Sequence, residues 1–300
     1  MAANDDTVRV RFLRFSAFYS PVLVTIGGGH LAAEGLDATY DTVTPGRTVE
    51  DGIRDGDIDV AQSAVAVHFR PWTNGLEMPH RHFALVNRHD GFFLARRGSG
   101  RPFQWDDLRG AAVVADHFFQ PMTLLKAALA AHGLSIDDVD LVNAGTPAEM
   151  DAAFRAGTGE FVHMQGPAPH VLERDGIATV VAAIGDETPE IAFSSLCASS
   201  EWLATPQATA FTRAYRNGRR HAQSAPADEV ARIIRPFLPD ADPVAVTAAI
   251  AAYQAMGTWA GDEAIDQPLY EATVGLFQRH DGLAADPPYE FAIAPIPSGR

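Results

Sequence analysis

Strand-like and helix-like stretches alternate from the first residues onward, and this alternation constrains the fold more than any single motif. The run VRVRFLRF sets Val8, Val10 and Phe12 against Arg9 and Arg11, the period-2 pattern of a strand with one buried face. SPVLVTIGGGHLAAEG then reads as a helix, DATYDTV as a strand, TVEDGIRDG as a short helix and DIDVAQSAV as another strand. Repeated β-α-β order with short connections predicts a mainly parallel sheet covered by helices. Sheets of this kind bind ligands at the carboxyl ends of their strands.

A length of 300 residues is too large for one small core and suits two α/β lobes. The run FALVNRHDGFFLARR, from Phe83 to Arg97, is strand-like around a turn or bulge at His89-Asp90-Gly91, and GSGRP then marks a boundary; this reads as the first crossing between lobes. A second α/β unit follows: strand AAVVAD, helix QPMTLLKAALAAHG, strand DVDLVNA, helix PAEMDAAFRAG, strand GEFVHMQ and helix PAPHVLERDG. EIAFSSLCAS reads as the return crossing, and helical stretches at 206–222, 226–236 and 243–255 bring the chain back onto the first lobe. The expectation is an α/β protein with residues 1–93 and 195–300 in lobe 1 and 94–194 in lobe 2. Each lobe should be a mainly parallel sheet flanked by helices, and two crossing strands should form the hinge.

The formal net charge of −15 opposes binding to phosphate backbones and anionic membrane surfaces, so neither nucleic acid nor membrane is an expected partner. Cys197 is the only cysteine, which excludes an internal disulfide, a CxxC redox pair and a multi-cysteine metal site. No segment approaches the roughly 18 apolar residues of a membrane span. The opening MAANDDTVRVRFLRF lacks a positive end followed by an apolar run. As written, the sequence points to the cytoplasm; an export signal missing from it would place the protein outside.

Two stretches resemble the opening signature of the sulfonate-binding and thiamine-precursor-binding proteins of ABC importers. They are Gly29-His30-Leu31-Ala32-Ala33-Glu34-Gly35-Leu36-Asp37 and Ile53-Arg54-Asp55-Gly56-Asp57-Ile58-Asp59. The later stretches FSSLCASSEWL and ATAFTRAYRNGRR resemble the same family's return crossing and following helix, so the likeness runs in order from about residue 8 to 280. The resemblance implies the two-lobed type II periplasmic-binding-protein fold. It also implies hinge closure over a small organic ligand and an ABC permease as partner.

The candidate contacts lie at strand ends. Phe15, Ser16, Phe18 and Tyr19 follow the first strand, offering rings and a hydroxyl to a planar or apolar ligand. Gln62, Ser63 and Ala64 end the strand DIDVAQS, where the family places a polar loop against its ligand. In the second lobe, His117, Phe118, Phe119 and Gln120 occupy a strand-to-helix turn after Asp116, where free helix amides favour a carboxylate, sulfonate or carbonyl. Gln165 and Gly166 end FVHMQ, and Phe193 and Ser194 at the return crossing complete the set. Together these favour a planar heterocycle, an aromatic acid or a sulfonate-like molecule.

An enzyme on the same scaffold is the alternative. The resemblance offers two precedents, the pyrimidine-precursor synthases of thiamine formation and the aromatic sulfinate desulfinases, and neither motif set carries over. Ser63 stands near the place where the synthases use a lysine, and Phe18-Tyr19-Ser20 where the desulfinases use a cysteine. Any other chemistry would fall to His68, His117 or His163 as general acid or base. No cofactor motif of the GxSxG, Walker or GxGxxG kind stands in the required context, and Gly27-Gly28-Gly29 reads as a helix end. His68, His80, His82 and His89 cluster in sequence, with His80 and His82 spaced to share one face of a strand. No carboxylate stands at a ligand spacing beside them and Met78-Pro79 suggests a surface connection, so the sequence assigns no metal and no cofactor.

Overall fold

The computed structural model describes residues 6–98, 100–284 and 286–298. The first five residues, read above as the acidic lead-in to the first strand, lie outside the described residues, as does Ser99 of the GSGRP boundary. In the first lobe, β1 (Thr7–Phe12), α1 (Ser20–Gly27), β2 (Asp37–Thr42), α2 (Val49–Arg54), β3 (Val60–Ser63), α3 (Phe69–Thr73) and β4 (Arg81–Asn87) follow in order. The chain then enters the second lobe with β5 (Phe92–Arg97), β6 (Ala112–Ala115), α4 (Phe119–Ala131), β7 (Asp140–Val142), α5 (Pro147–Arg155), β8 (Phe161–Gln165), α6 (Ala168–Arg174) and β9 (Ala178–Ala183). It returns through β10 (Ser194–Ala198) and closes with α7 (Ser200–Leu203), α8 (Pro206–Ser224), α9 (Ala227–Ile234), α10 (Pro243–Ala255), α11 (Gln267–Asp281) and α12 (Tyr289–Ala292).

The strands form two five-stranded sheets, ordered β2-β1-β3-β10-β4 and β7-β6-β8-β5-β9. In the first, β1 pairs in parallel with β2 and β3, while β10 runs antiparallel to both β3 and β4. In the second, β6 pairs in parallel with β7 and β8, while β5 runs antiparallel to β8 and β9. Four strands of each sheet therefore share a direction, and the exception is the strand that arrives from the other lobe. A strand entering at the cleft edge has to run away from the cleft, and the intralobe strands run toward it. The crossings occupy 88–91 and 184–193. The expected α/β class and two-lobed architecture are present. Five elements go beyond the sequence reading: strand β9 after α6, helix α11 after α10, and the short helices α3, α7 and α12. The helix read over SPVLVTIGGGHLAAEG stops at Gly27, with Gly29 at φ +78° and a short 3₁₀ turn at Ala32–Glu34.

Strand β1 illustrates how the alternation works. Val8, Val10 and Phe12 are buried, while Arg9 pairs with Asp59 and Arg11 with Asp41 on the other face. Thr205 caps α8 by accepting from the Ala208 N–H, with Pro206 at the first helical position. Helix α8 lies so close to α1 that a Cβ on Gly218 would stand 2.2 Å from Thr25 Oγ1. Among the described residues, no helix is long and apolar enough to cross a membrane.

Candidate functional site

The carboxyl ends of β1, β6 and β8 meet between the lobes. After β1, Ser16 begins a 3₁₀ turn at Ala17–Tyr19, and its Oγ accepts from the Phe18 N–H at 3.2 Å. The same hydroxyl donates across the interlobe boundary to the Gly166 carbonyl, also at 3.2 Å. Gly166 follows β8 and precedes Pro167 through a cis peptide bond. Arg14, Phe15 and Ser16 of the first lobe face Asp116, Met150, Met164 and Gln165 of the second across a cavity of about 420 Å³. That size holds one small organic molecule. Two larger hollows, of about 580 and 620 Å³, are lined by helix and loop residues of 216–296 and 228–251, and no strand of the second sheet reaches them.

The polar groups of this cavity are incompletely paired. Arg14 makes no hydrogen bond or ion pair among the described residues, although its charge reaches Asp116. Burial raises the Asp116 carboxyl above its ordinary range, while the Phe118 N–H, donating to Oδ1 at 2.8 Å, and Arg14 draw it back down. The Gln165 Nε2 is buried without a partner. Behind them, fully buried Asp90 is pushed up to about 8, chiefly by burial and further by the charge of Asp116; the Phe92 N–H, donating to its Oδ1, opposes the rise. Its Oδ2 has no partner. Unpaired polar groups in a low-dielectric site are costly, and a ligand that pairs with them recovers that cost.

Of the residues read from sequence, Phe15, Ser16, Gln165 and Gly166 line the cavity. The turn after β6 contributes Asp116 to it; His117 and Phe118 stand exposed beside that turn, with Phe118 61% accessible. Phe119 packs on Phe277 at 5.0 Å and under the Arg70 guanidinium, and Gln120 donates to the Phe193 carbonyl at 2.6 Å. Phe18 is fully buried against Tyr19, Phe193 and Tyr253, and so belongs to the packing of the hinge. Gln62 accepts from the Leu13 N–H and donates to the Ser63 carbonyl, Ser63 is buried at the end of β3, and Ala64 is half-buried beyond it. Ser194 Oγ accepts from Asn87 Nδ2 at 2.8 Å, joining the two crossing strands. The ring-centred reading left out Arg14, Asp116, Met150, Asp151, Arg155 and Met164, which also line the cavity. Arg14 and Asp116 immediately precede residues that were named, so position at the strand end was the available signal for those two.

The histidines separate. His117 is exposed, with Nδ1 2.7 Å from its own Ala115 carbonyl. His163 is buried and stacked on Phe92 at 4.9 Å, and burial pushes it down to about 3, so it is neutral at ordinary pH. His68 is remote from the cavity wall and packs on His80, His82 and Phe291. His89 lies at the first crossing, with Nδ1 3.2 Å from the Gly185 carbonyl. The surface connection expected at Met78-Pro79 is half-buried and turns His80 inward.

Residues 18–229 match the family model described as NMT1/THI5 like. The chain belongs to the NMT1/THI5-like family. This agrees with the signature at Gly29–Asp37, which falls inside the match. A relative is YtlA of Bacillus subtilis (strain 168), 26% identical over 288 residues that make up 94% of this chain and 86% of YtlA. Among solved structures, the alkanesulfonate-binding protein SsuA from Xanthomonas axonopodis pv. citri bound to MOPS superposes with a TM-score of 0.73 at 16% identity, covering 98% of this chain and 100% of that one. The periplasmic aliphatic sulphonate binding protein SsuA from Escherichia coli gives 0.70 at 14% identity, covering 99% and 94%. At these identities the structural likeness establishes the two-lobed fold of this NMT1/THI5-like chain.

Proposed function

We propose that the protein is a substrate-binding receptor that closes its two lobes over one small organic ligand and presents it to an ABC permease. The observation that carries this reading is the interlobe cavity, walled by Phe15, Met150 and Met164 and furnished with unpaired Arg14, buried Gln165 and Asp116. Apolar walls with a few convergent polar groups suit a planar molecule bearing an anionic or carbonyl end, such as an aromatic acid, a pyrimidine or an organic sulfonate. Arg14 would take the anionic or carbonyl end, and Asp116 and Gln165 would take donors on the ring. Capture outside the cytoplasm goes with this role, and the periplasmic aliphatic sulphonate binding protein from Escherichia coli supports it. Closure needs no covalent step: the ligand selects the closed arrangement because only there does it touch both lobes.

The test is a thermal-shift screen against aromatic acids, pyrimidines and sulfonates, with each hit incubated and re-examined by mass spectrometry. A stabilising ligand recovered unchanged is expected, with about 2.7 kcal/mol of added stability at one hundred times its Kd. Arg14→Gln should weaken that ligand by about 1.5–3 kcal/mol, the range for a hydrogen bond to a charged group. Consumption of the ligand would replace the receptor reading with an enzymatic one.

A further inference from the structure

His68, His80 and His82 come from three different local structures: the end of the 3₁₀ turn Val65–His68, the loop before β4, and β4 itself. All three are buried, at 0%, 2% and 0% exposure. Their ring centroids lie 4.9, 4.9 and 5.6 Å apart, and one ligand nitrogen from each falls within 4.8 Å of the others. His68 Nδ1, both nitrogens of His80, and His82 Nε2 have no hydrogen-bond partner. The opposite nitrogens of two rings are held: His68 Nε2 lies 3.0 Å from the His80 carbonyl, and His82 Nδ1 lies 2.7 Å from Ser195 Oγ.

This pattern differs from ordinary core packing of histidine. Unpaired buried nitrogens also occur at His163; what sets the trio apart is that three rings come together, each with an unpaired nitrogen and each bringing one nitrogen within 4.8 Å of the others, while a second nitrogen of His68 and of His82 is tied to a carbonyl and a hydroxyl. Metal-bound imidazoles are oriented in the same way, because the outer hydrogen bond fixes the tautomer and leaves the other lone pair for the cation. Burial also keeps the rings in the neutral, ligating form: His68 is pushed down to about 4, His80 to about 3, and His82 well below its ordinary value.

We propose that His68, His80 and His82 form a zinc(II) site with three imidazole ligands and an open fourth position. Imidazole donors suit zinc among the common cations, and an all-nitrogen set without carboxylates disfavours magnesium and calcium. Phe291 of α12 packs against His68 at 5.6 Å, and the Ala294 N–H donates to the His82 carbonyl at 2.8 Å, so the C-terminal segment covers the site. The cation would tie the loop between His68 and His80 to β4, and through Ser195 to the returning strand β10.

The experiment strips the full chain of metal with a chelator, dialyses it against zinc, and measures bound metal by elemental analysis. One zinc per chain is expected, with a rise in melting temperature. His80→Asn and His82→Gln should lose it, and Ser195→Ala should weaken it by about 10- to 100-fold through loss of the outer hydrogen bond. A stripped chain that takes up no zinc, or variants that retain full stoichiometry through other histidines, would overturn the proposal. If the variants fail to fold, X-ray absorption of the zinc-loaded native chain decides: three imidazole scatterers support the site, and fewer contradict it.

Discussion

The two crossings between the lobes differ most in length. The first, at 88–91, is held by packing: Asp90 is fully buried, and a Cβ on Gly91 would stand 2.4 Å from the ring of Phe18. Hydrogen bonds hold it too: the Tyr253 hydroxyl and the Gly166 N–H donate to the Gly91 carbonyl at 2.9 and 3.3 Å, and the Arg88 N–H donates to the Thr258 carbonyl at 3.0 Å. The second, at 184–193, is longer and is fastened by hydrogen bonds. The Ile191 N–H donates to the Arg88 carbonyl at 2.9 Å, the Phe193 N–H to the Asn87 carbonyl at 3.1 Å, and the Ala192 N–H to Thr273 Oγ1 at 2.9 Å. Its Glu190 is exposed. The short connection leaves Gly91 no room beside the Phe18 ring, and the longer one is as close at Gly185, where a Cβ would meet the Met256 side chain and the Asp90 carbonyl; length separates them more than the kind of contact does.

The largest expected break in this contrast comes from Asp90. Its folded-state pKa, about 8, lies above the ordinary aspartate value of 3.8. The folded chain therefore retains a proton that the unfolded chain releases. The stability tied to that proton is fully present below pH 3.8 and is lost as the pH rises toward 8. Asp90→Asn keeps the acceptor for the Phe92 N–H and removes the titration. Relative to the native chain, its stability should increase by about 1.4 kcal/mol for each pH unit across this window. Denaturant melts of both chains from pH 5 to 8 measure it, and parallel curves would exclude burial of the carboxyl.

Gly91→Ala should come next, costing about 1–3 kcal/mol because the new methyl meets the immobile Phe18 ring. Pairing it with Phe18→Leu in a double-mutant cycle should recover part of the loss; strict additivity would mean that the ring is not the obstacle. At the second crossing, Thr273→Val leaves the buried Ala192 N–H without an acceptor, at a cost of about 1–3 kcal/mol with the lower end expected. Faster amide exchange confined to Ala192 and its neighbours is the signature to seek. Smallest of all, Glu190→Gln removes the exposed pair with Arg88 at 3.0 Å and should change stability by no more than about 0.5 kcal/mol. A larger loss there would reverse the comparison.

The alternation of apolar and polar residues in β1, and the β-α-β order that followed, made the fold class legible because both depend on local pattern. Strand β9, with mostly half-buried residues, gives no such alternation, and α11 lies beyond the stretches where helical spacing was traced. The place of the candidate cavity was legible as a set of strand ends, since topology fixes where those ends meet. Which side chains face inward was not. Phe18 turns into the hinge because Gly91 leaves room for its ring, a contact between residues far apart in sequence. Arg14 and Asp116 meet only after two lobes are built. The histidine cluster is the clearest case: His68, His80, His82 and His89 were visible together in the sequence, but only the fold turns His68 onto His80 and His82 and sends His89 to the first crossing.

The exchange of one antiparallel strand between the sheets has a consequence for how the chain emerges during synthesis. Strands β5 to β9 lie in one continuous stretch, so the second sheet contains all its members before the first is complete. Among the described residues, β4 has β10 as its only strand neighbour, beside a single bridge from His82 to Ile293, and β10 is made after every strand of the second lobe. Until the ribosome has delivered residue 194 and beyond, β4 waits as an unpaired edge with His82 near its start. The lobe that begins the sequence is therefore the one that finishes last.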